Sequence, residues 1–165
     1  IKGINKYREI LGSQEFAVTA VQKYLDAIYR TYKKTGTIWE NYSSELDMRG
    51  VWSRPDFVGW SGCGPIQLLI ENILGFRPQG ADSKLEWNIN RVDRHGINNL
   101  CFGDITASLI CEKRTSVKSP CKITVKANHP FELTVYAWPK RKEVFNVKTG
   151  ENTFELAAAG ANIDE

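Results

Sequence analysis

One short segment of this 165-residue chain combines a carboxylate with aromatic side chains, and it reads Trp39-Glu40-Asn41-Tyr42. A second aromatic turn, rich in glycine, follows at Gly59-Trp60-Ser61-Gly62. Aromatic faces suit sugar rings, and an isolated carboxylate suits proton transfer from water. The two segments indicate carbohydrate chemistry, although hydrolysis of a glycosidic bond usually takes two carboxylates. Glu40 is therefore the candidate catalytic residue, and the candidate substrate-binding residues are Trp39, Asn41, Tyr42 and Trp60.

Each of these residues also has a structural interpretation. A loop glutamate such as Glu40 is usually solvated, and the three aromatic candidates pack between helix ends as readily as they bind a ligand. Asn41 orients Glu40, bonds a sugar hydroxyl or holds a turn. Asp56 is a second carboxylate nearby in the sequence, but a role as a cap or turn residue is favoured for it. The glycines do not form a dinucleotide-binding fingerprint, and they indicate tight turns.

The composition argues against several other classes of function. The net charge is only +3, and the one basic triplet, Lys140-Arg141-Lys142, is typical of a solvated loop, so no nucleic-acid partner is expected. No apolar run approaches the ~20 residues that span a membrane, so no membrane association is expected. The four cysteines and two histidines lack the spacing of zinc ligands. We expect no metal and no other cofactor, and free thiols are favoured over disulfides.

The first half of the chain has helical periodicity. Residues 1–11 carry apolar side chains at helical spacing, with no cap before them. An apolar stripe from Phe16 to Tyr32 predicts a helix over residues 13–35, which Gly36 ends. The irregular segment 37–57 follows, and loops of such length are usually functional or disordered. Residues 66–74 are apolar nearly all round, which predicts a second helix that is buried on most sides.

Beyond residue 80 the period changes to two, which is typical of strands. Turn signals such as His95-Gly96 and Gly103-Asp104 separate the alternating segments. The pattern predicts antiparallel β-structure, most simply a small sandwich, in which Trp87 and Trp138 pack. The predicted strands are Leu85–Ile89, Ala107–Cys111, Ile123–Ala127, Phe131–Ala137, Val144–Val147 and Thr153–Leu156. The predicted domains are a helical part (1–80), an antiparallel β domain (81–156) and a tail (157–165).

The first residues bear on how the chain relates to a longer protein. The chain begins at Ile1, inside a helical pattern, so we interpret it as the C-terminal part of a longer polypeptide. The upstream part of the same polypeptide is then its expected partner. Such an N-terminus does not fix the compartment, and a cytoplasmic location is the one favoured.

Two stretches carry a family resemblance, Gly36–Glu45 (GTIWENYSSE) and Phe57–Ile66 (FVGWSGCGPI). They resemble the C-terminal end of an (α/α)6-barrel glycosidase of the trehalase and processing α-glucosidase group (glycoside hydrolase families 37 and 63) and its uncharacterised bacterial relatives. The segment that holds Arg94-His95-Gly96 and Cys101–Asp104 resembles the β domain that follows the barrel in some of those relatives. The resemblance implies a segregated α + β fold, in which the last helices of an (α/α)6 toroid precede a small antiparallel β-sandwich-like domain.

The same resemblance implies inverting hydrolysis of an α-glucoside or a related α-glycoside. Glu40 matches the position of the general base, which activates the attacking water. The general acid of such families is an aspartate earlier in the barrel, and no segment of this chain matches its motif. We therefore expect the chain to supply the base for an oligosaccharide or glycoside substrate, and to be inactive when isolated.

Two other functions stay open. A non-catalytic carbohydrate-binding or scaffolding module, with the interaction carried by the β half, would also explain the missing acid. A degenerate barrel that binds sugar without cleaving it is the third possibility, and the sequence upstream of Ile1 would decide it.

Overall fold

The computed structural model describes residues 14–55, 57–137 and 140–159. Three features that the sequence singled out lie outside the described residues, namely the helical pattern of residues 1–11, Asp56 and Trp138. The chain divides between Ile73 and Leu74 into two compact units. We call the part before this boundary the helical unit and the part after it the β unit.

The helical unit begins with the long helix α1, Gln14–Thr35. Val21 and Ile28 of the predicted apolar stripe are buried, and so is Thr31, whereas Tyr24 and Tyr32 of the stripe are exposed. Lys33 and Lys34 lie in the last turn, where cations favour the negative end of the helix dipole. Gly36 then adopts a φ of 75°, and its N–H donates to the Tyr32 carbonyl at 2.7 Å. The helix predicted for residues 13–35 is confirmed.

The rest of the helical unit contains little regular structure. An irregular segment leads to a 3-10 turn, Gly59–Gly62, and then to α2, Cys63–Leu68. A π-helical turn, Leu69–Ile73, ends the unit. The prediction of one helix over residues 66–74, buried on most sides, is wrong, because Ile66 and Leu69 are exposed. A helix that is apolar all round needs neighbours on every side. Within the described part of this unit, the long helix α1 packs against α2 and the π-helical turn.

The fold class implied by the resemblance is also wrong, since the described residues do not build the end of an (α/α)6 toroid. They form two four-stranded sheets and two α-helices, of which α2 has only 6 residues. A toroid of this kind is a ring of long antiparallel helical hairpins, in which each helix buries its apolar stripe against another helix. Here α1 is followed by an irregular segment, and the glycines and proline of Gly59–Pro65 keep the next helical segment short.

The β unit contains eight strands in two sheets, with the orders β1-β2-β6-β7 and β3-β4-β5-β8. The strands are β1 (Phe76–Gln79), β2 (Lys84–Ile89), β3 (His95–Phe102), β4 (Ile105–Cys111), β5 (Cys121–Ala127), β6 (Phe131–Ala137), β7 (Arg141–Val147) and β8 (Gly150–Leu156). The β2–β6 pair is parallel, so the unit departs from the wholly antiparallel arrangement that was predicted. The other neighbouring strands pair antiparallel.

Ring contacts connect the two sheets and mark the core of a sandwich. Trp87 of β2 contacts His95 of β3 at 5.9 Å between ring centroids, and Phe102 of β3 contacts Phe131 of β6 at 5.4 Å. The alternation predicted for β2, β4, β5 and β6 is confirmed, because every second residue of these strands is buried. Such a two-residue period places one face of each strand in the core.

Two boundaries differ from the sequence prediction. His95-Gly96 is not a turn, since both residues pair with β4 as part of β3. Residue 80 lies after β1, and β1 belongs to the β unit because it pairs with β2. Among the described residues, no helix combines the length and the apolar character needed to cross a bilayer.

Candidate functional site

Trp39 anchors the irregular segment to the end of α1. The residue is buried, with 7% of its surface exposed. Its indole N–H donates to the Thr35 hydroxyl at 2.9 Å, and the Arg49 guanidinium lies over the ring, 5.5 Å from its centroid. A buried ring with these contacts offers no face for stacking on a sugar. Trp39 therefore positions the residue that follows it, Glu40.

The Glu40 side chain packs against the glycine-rich turn that holds Trp60. A Cβ at Gly59 would lie 2.8 Å from Cγ and 3.3 Å from Oε1 of Glu40, and Gly59 also has a φ of 51°. Both facts restrict this position to glycine. The Ser61 hydroxyl donates to the Glu40 backbone carbonyl. The structure thus brings together the two segments that the sequence singled out separately.

Glu40 is half-buried, and its carboxylate is unpaired among the described residues. Within the described segments, it forms neither an ion pair nor a hydrogen bond with a protein group. The carboxylate of Asp47, in contrast, pairs with Arg30 at 2.9 Å and with Lys34 at 3.8 Å. A carboxylate that no cation neutralises keeps its lone pairs available for the proton of a water molecule.

Asn41 and Tyr42 hold the loop instead of completing a pocket around Glu40. The Asn41 side-chain carbonyl accepts from the Ser53 hydroxyl at 2.6 Å, and its backbone carbonyl accepts from Gly50 N–H at 3.0 Å. The Tyr42 hydroxyl accepts from the Trp39 N–H at 3.0 Å. Tyr42 also forms an isolated antiparallel bridge with Arg49. These contacts fold residues 41–53 back on themselves and fix the peptide of Glu40 and Asn41.

Two tryptophans of the helical unit are almost fully exposed. Trp60, a predicted substrate-binding residue, exposes 95% of its surface, and Trp52 exposes 91%. Sequence reasoning did not single out Trp52, because no periodicity marks it within an irregular segment. One signal was present, since both residues are followed by serine, and each of these serines bonds to the backbone of Glu40 or Asn41. Their exposure leaves both rings available for contact with another molecule.

An open cleft of about 510 Å³ lies beside Trp52. Polar groups of Ser43, Ser44 and Arg49 share its lining with the tryptophan and with small or apolar residues. The cleft is open to solvent, so a ligand in it would stay partly exposed. The described residues contain no group of three or more side chains that could hold a metal ion.

A few ionisable groups of the β unit are enclosed by its core. Burial lowers the pKa of His95, whose Nδ1 lies 2.7 Å from the Asp93 carbonyl. The thiol hydrogen bond from Cys111 is the largest of the causes that lower the pKa of Cys121 to about 6, with further contributions from Arg114 and Arg141. Both thiols are free, yet both are fully buried. These groups connect the strand ends and offer no surface to a substrate.

Comparisons with known proteins add one distant relative. The chain is 22% identical over 157 residues to an uncharacterised protein of Borreliella burgdorferi. The match covers 91% of this chain and 32% of the relative, so the chain spans about a third of the length of the protein it matches. No family model matches the chain. No solved structure matches it significantly.

Proposed function

We propose that this chain forms part of an inverting glycoside hydrolase and supplies Glu40 as the general base. The main support for the proposal is one observation: the unpaired Glu40 side chain packs against the turn that holds the exposed Trp60. Trp60 offers an exposed aromatic face to a pyranose ring, and Glu40 offers a proton acceptor that packs against the same turn. The motif resemblance to the trehalase and α-glucosidase group favours α-glycosides as the substrate class.

In this mechanism Glu40 accepts a proton from the water that attacks the anomeric carbon. The oxygen of the water forms the new bond as the glycosidic bond breaks, and a general acid protonates the departing oxygen. Inverting enzymes keep the two carboxyl groups about 6.5–9.5 Å apart to admit that water. We assign the acid to the upstream part of the same polypeptide, and the proposal does not depend on a toroidal architecture. The isolated chain should then release no sugar.

The test is to replace Glu40 by glutamine in the full-length polypeptide and to measure turnover of aryl α-glycosides. Glutamine keeps the size of the side chain and removes the proton acceptor. Loss of a general base costs about 10²–10⁴-fold in rate, so kcat should fall by that factor. Glu45→Gln is the matched control, since Glu45 is an exposed residue of the same loop, and it should leave kcat unchanged. Turnover of Glu40→Gln within a factor of three of wild type would refute the base role.

A second candidate function is carbohydrate binding without cleavage. It is favoured by the near-complete exposure of Trp52 and Trp60. In that case the full-length protein binds α-glucosides with no turnover, and Glu40→Gln leaves the binding affinity intact. Hydrolysis by the wild-type protein that Glu40→Gln abolishes would exclude this function.

A further inference from the structure

We propose that Trp52 is the aromatic platform of a second sugar subsite, so that the site binds at least two linked pyranose rings, one at Trp60 and one at Trp52. The inference rests on the proposed function, since it extends the same site. It identifies the ligand class as an oligosaccharide and assigns a specificity-determining role to a residue outside both sequence motifs.

The first argument is that serine hydroxyls tie the two tryptophan turns to Glu40 and to the residue after it. Ser61, which follows Trp60, donates its hydroxyl proton to the Glu40 carbonyl. Ser53, which follows Trp52, bonds to Asn41 through the backbone carbonyl at 3.2 Å and the side-chain carbonyl at 2.6 Å. Each exposed ring is therefore one residue away from a serine anchored at Glu40 or Asn41.

The second argument is the conformation of Trp52 itself. Its φ is 70°, a region that L-residues other than asparagine and aspartate rarely adopt. The turn is closed by a bond from Ser53 N–H to the Gly50 carbonyl at 3.4 Å. Buried Ser53 and the contact of Arg49 with the Ser53 carbonyl, at 2.7 Å, hold the turn in place. A strained bulky residue that is also exposed points to a function at that position, since folding alone would favour glycine there.

The third argument is the chemistry of the cleft beside the ring. The Trp52 indole provides an apolar face, and Ser43, Ser44 and Arg49 line the same cleft. The Ser43 oxygen accepts from the N–H groups of Glu45 and Leu46, which fixes its hydroxyl at the cleft. A flat apolar face with serine residues beside it matches a pyranose ring, which carries C–H groups on its faces and hydroxyls around its rim.

The experiment is calorimetric titration of the full-length polypeptide with sulfur-linked α-glucose oligomers of one to four units, which a glycoside hydrolase does not cleave. Three variants are compared with wild type, Trp52→Gly, Trp52→Phe and Trp60→Ala. Glycine removes the ring and also relieves the positive φ, so Trp52→Gly should fold with a Tm at or above that of wild type. It should weaken the binding of the three- and four-unit sugars by about tenfold and leave the single sugar unaffected, whereas phenylalanine should keep the affinity within about threefold.

The outcomes separate this inference from the proposed function. If wild type binds the longer sugars and only Trp60→Ala weakens them, the Trp52 subsite is refuted and the proposed function stands. If Trp52→Gly weakens all lengths equally, the residue does not form a separate subsite, which also refutes the inference. If wild type binds none of the oligomers, both the subsite and the proposed function are refuted.

Discussion

The tryptophans of the two units have opposite environments. In the β unit, Trp87 is fully buried, stacks on Phe76 at 4.6 Å between centroids and donates its indole N–H to the Leu74 carbonyl at 3.0 Å. In the helical unit, Trp52 and Trp60 leave nearly all of their surface in solvent. The same side chain thus serves a core in one unit and is available to a ligand in the other.

The ionisable groups follow the same division. His95 and Arg114 are buried in the β unit, where Arg114 donates to the Arg91 and Val117 carbonyls and to the Cys121 thiol. Glu40 in the helical unit has no such partner among the described residues. A buried polar group that is hydrogen-bonded belongs to the packing of a fold, whereas an unpaired carboxylate near exposed aromatic rings is typical of a binding or catalytic site. Burial and hydrogen bonding therefore distinguish these two groups of the β unit from Glu40.

The largest expected difference is in stability. Trp87→Ala should lower the free energy of unfolding by about 3–5 kcal/mol, because it leaves a large cavity in a packed core. Trp60→Ala should change it by less than about 0.5 kcal/mol, because the ring has almost no protein contacts to lose. Urea unfolding followed by circular dichroism measures both. Equal losses in the two variants would contradict the assignment of Trp87 to the core and Trp60 to the surface.

The next effect concerns the position of Glu40. Gly59→Ala should lower kcat by roughly 10²-fold in the full-length protein, because the new methyl group displaces the Glu40 side chain. Gly36→Ala is the matched control, since Gly36 also has a positive φ, but a Cβ there meets nothing within 4 Å. Both variants place alanine at a positive φ and are strained in the same way, but only Gly59→Ala should lose activity. Comparable kcat values for the two would show that Glu40 does not need its contact with the turn.

The smallest effect is a pH dependence that arises in the β unit. Burial lowers the pKa of His95 below its usual value near 6.5. As the pH falls through 6.5, the unfolded chain therefore takes up a proton that folded His95 still excludes, and stability decreases until the folded pKa is passed. His95→Gln should make the urea concentration at the unfolding midpoint less dependent on pH between pH 5 and 7.5. The pKa of Asp93 is lowered chiefly by its hydrogen bond from Arg91. Asp93 therefore changes the stability only at a lower pH than His95 does. A midpoint that rises on acidification in wild type would contradict the sign.

Much of the β unit could be predicted from the sequence, because a two-residue period forces one strand face into the core. Leu85, Trp87 and Ile89 were predicted in this way and are buried. His95-Gly96 misled the prediction, since the pair has the composition of a turn. Gly96 is instead a strand residue, and a Cβ there would overlap the Leu109 carbonyl. Close approach of two backbones requires glycine as strictly as a turn does.

The site could be predicted only in part. The residue types of Glu40 and Trp60 were informative, but their contact depends on the conformation of an irregular segment, which has no periodicity to reveal it. The exposure of Trp52 was hidden for the same reason. The prediction of a buried helix over residues 66–74 failed because an apolar pattern indicates burial only where neighbours exist, and Ile66 and Leu69 are exposed in the described part of this unit. The toroid was expected only from the resemblance of two short segments, and local motifs do not determine how distant elements pack.

The most direct measurement is a nuclear magnetic resonance titration of the indole N–H signals with an α-linked glucose oligomer. Phenylalanine variants of Trp52, Trp60 and Trp87 assign the signals, and all five tryptophans of the chain are observed in one spectrum. The signals of Trp52 and Trp60 should shift with the same saturation curve, and the signal of Trp87 should stay in place. A shift of Trp87 without the other two, or no shift of any signal at saturating sugar, would contradict a carbohydrate site at Glu40.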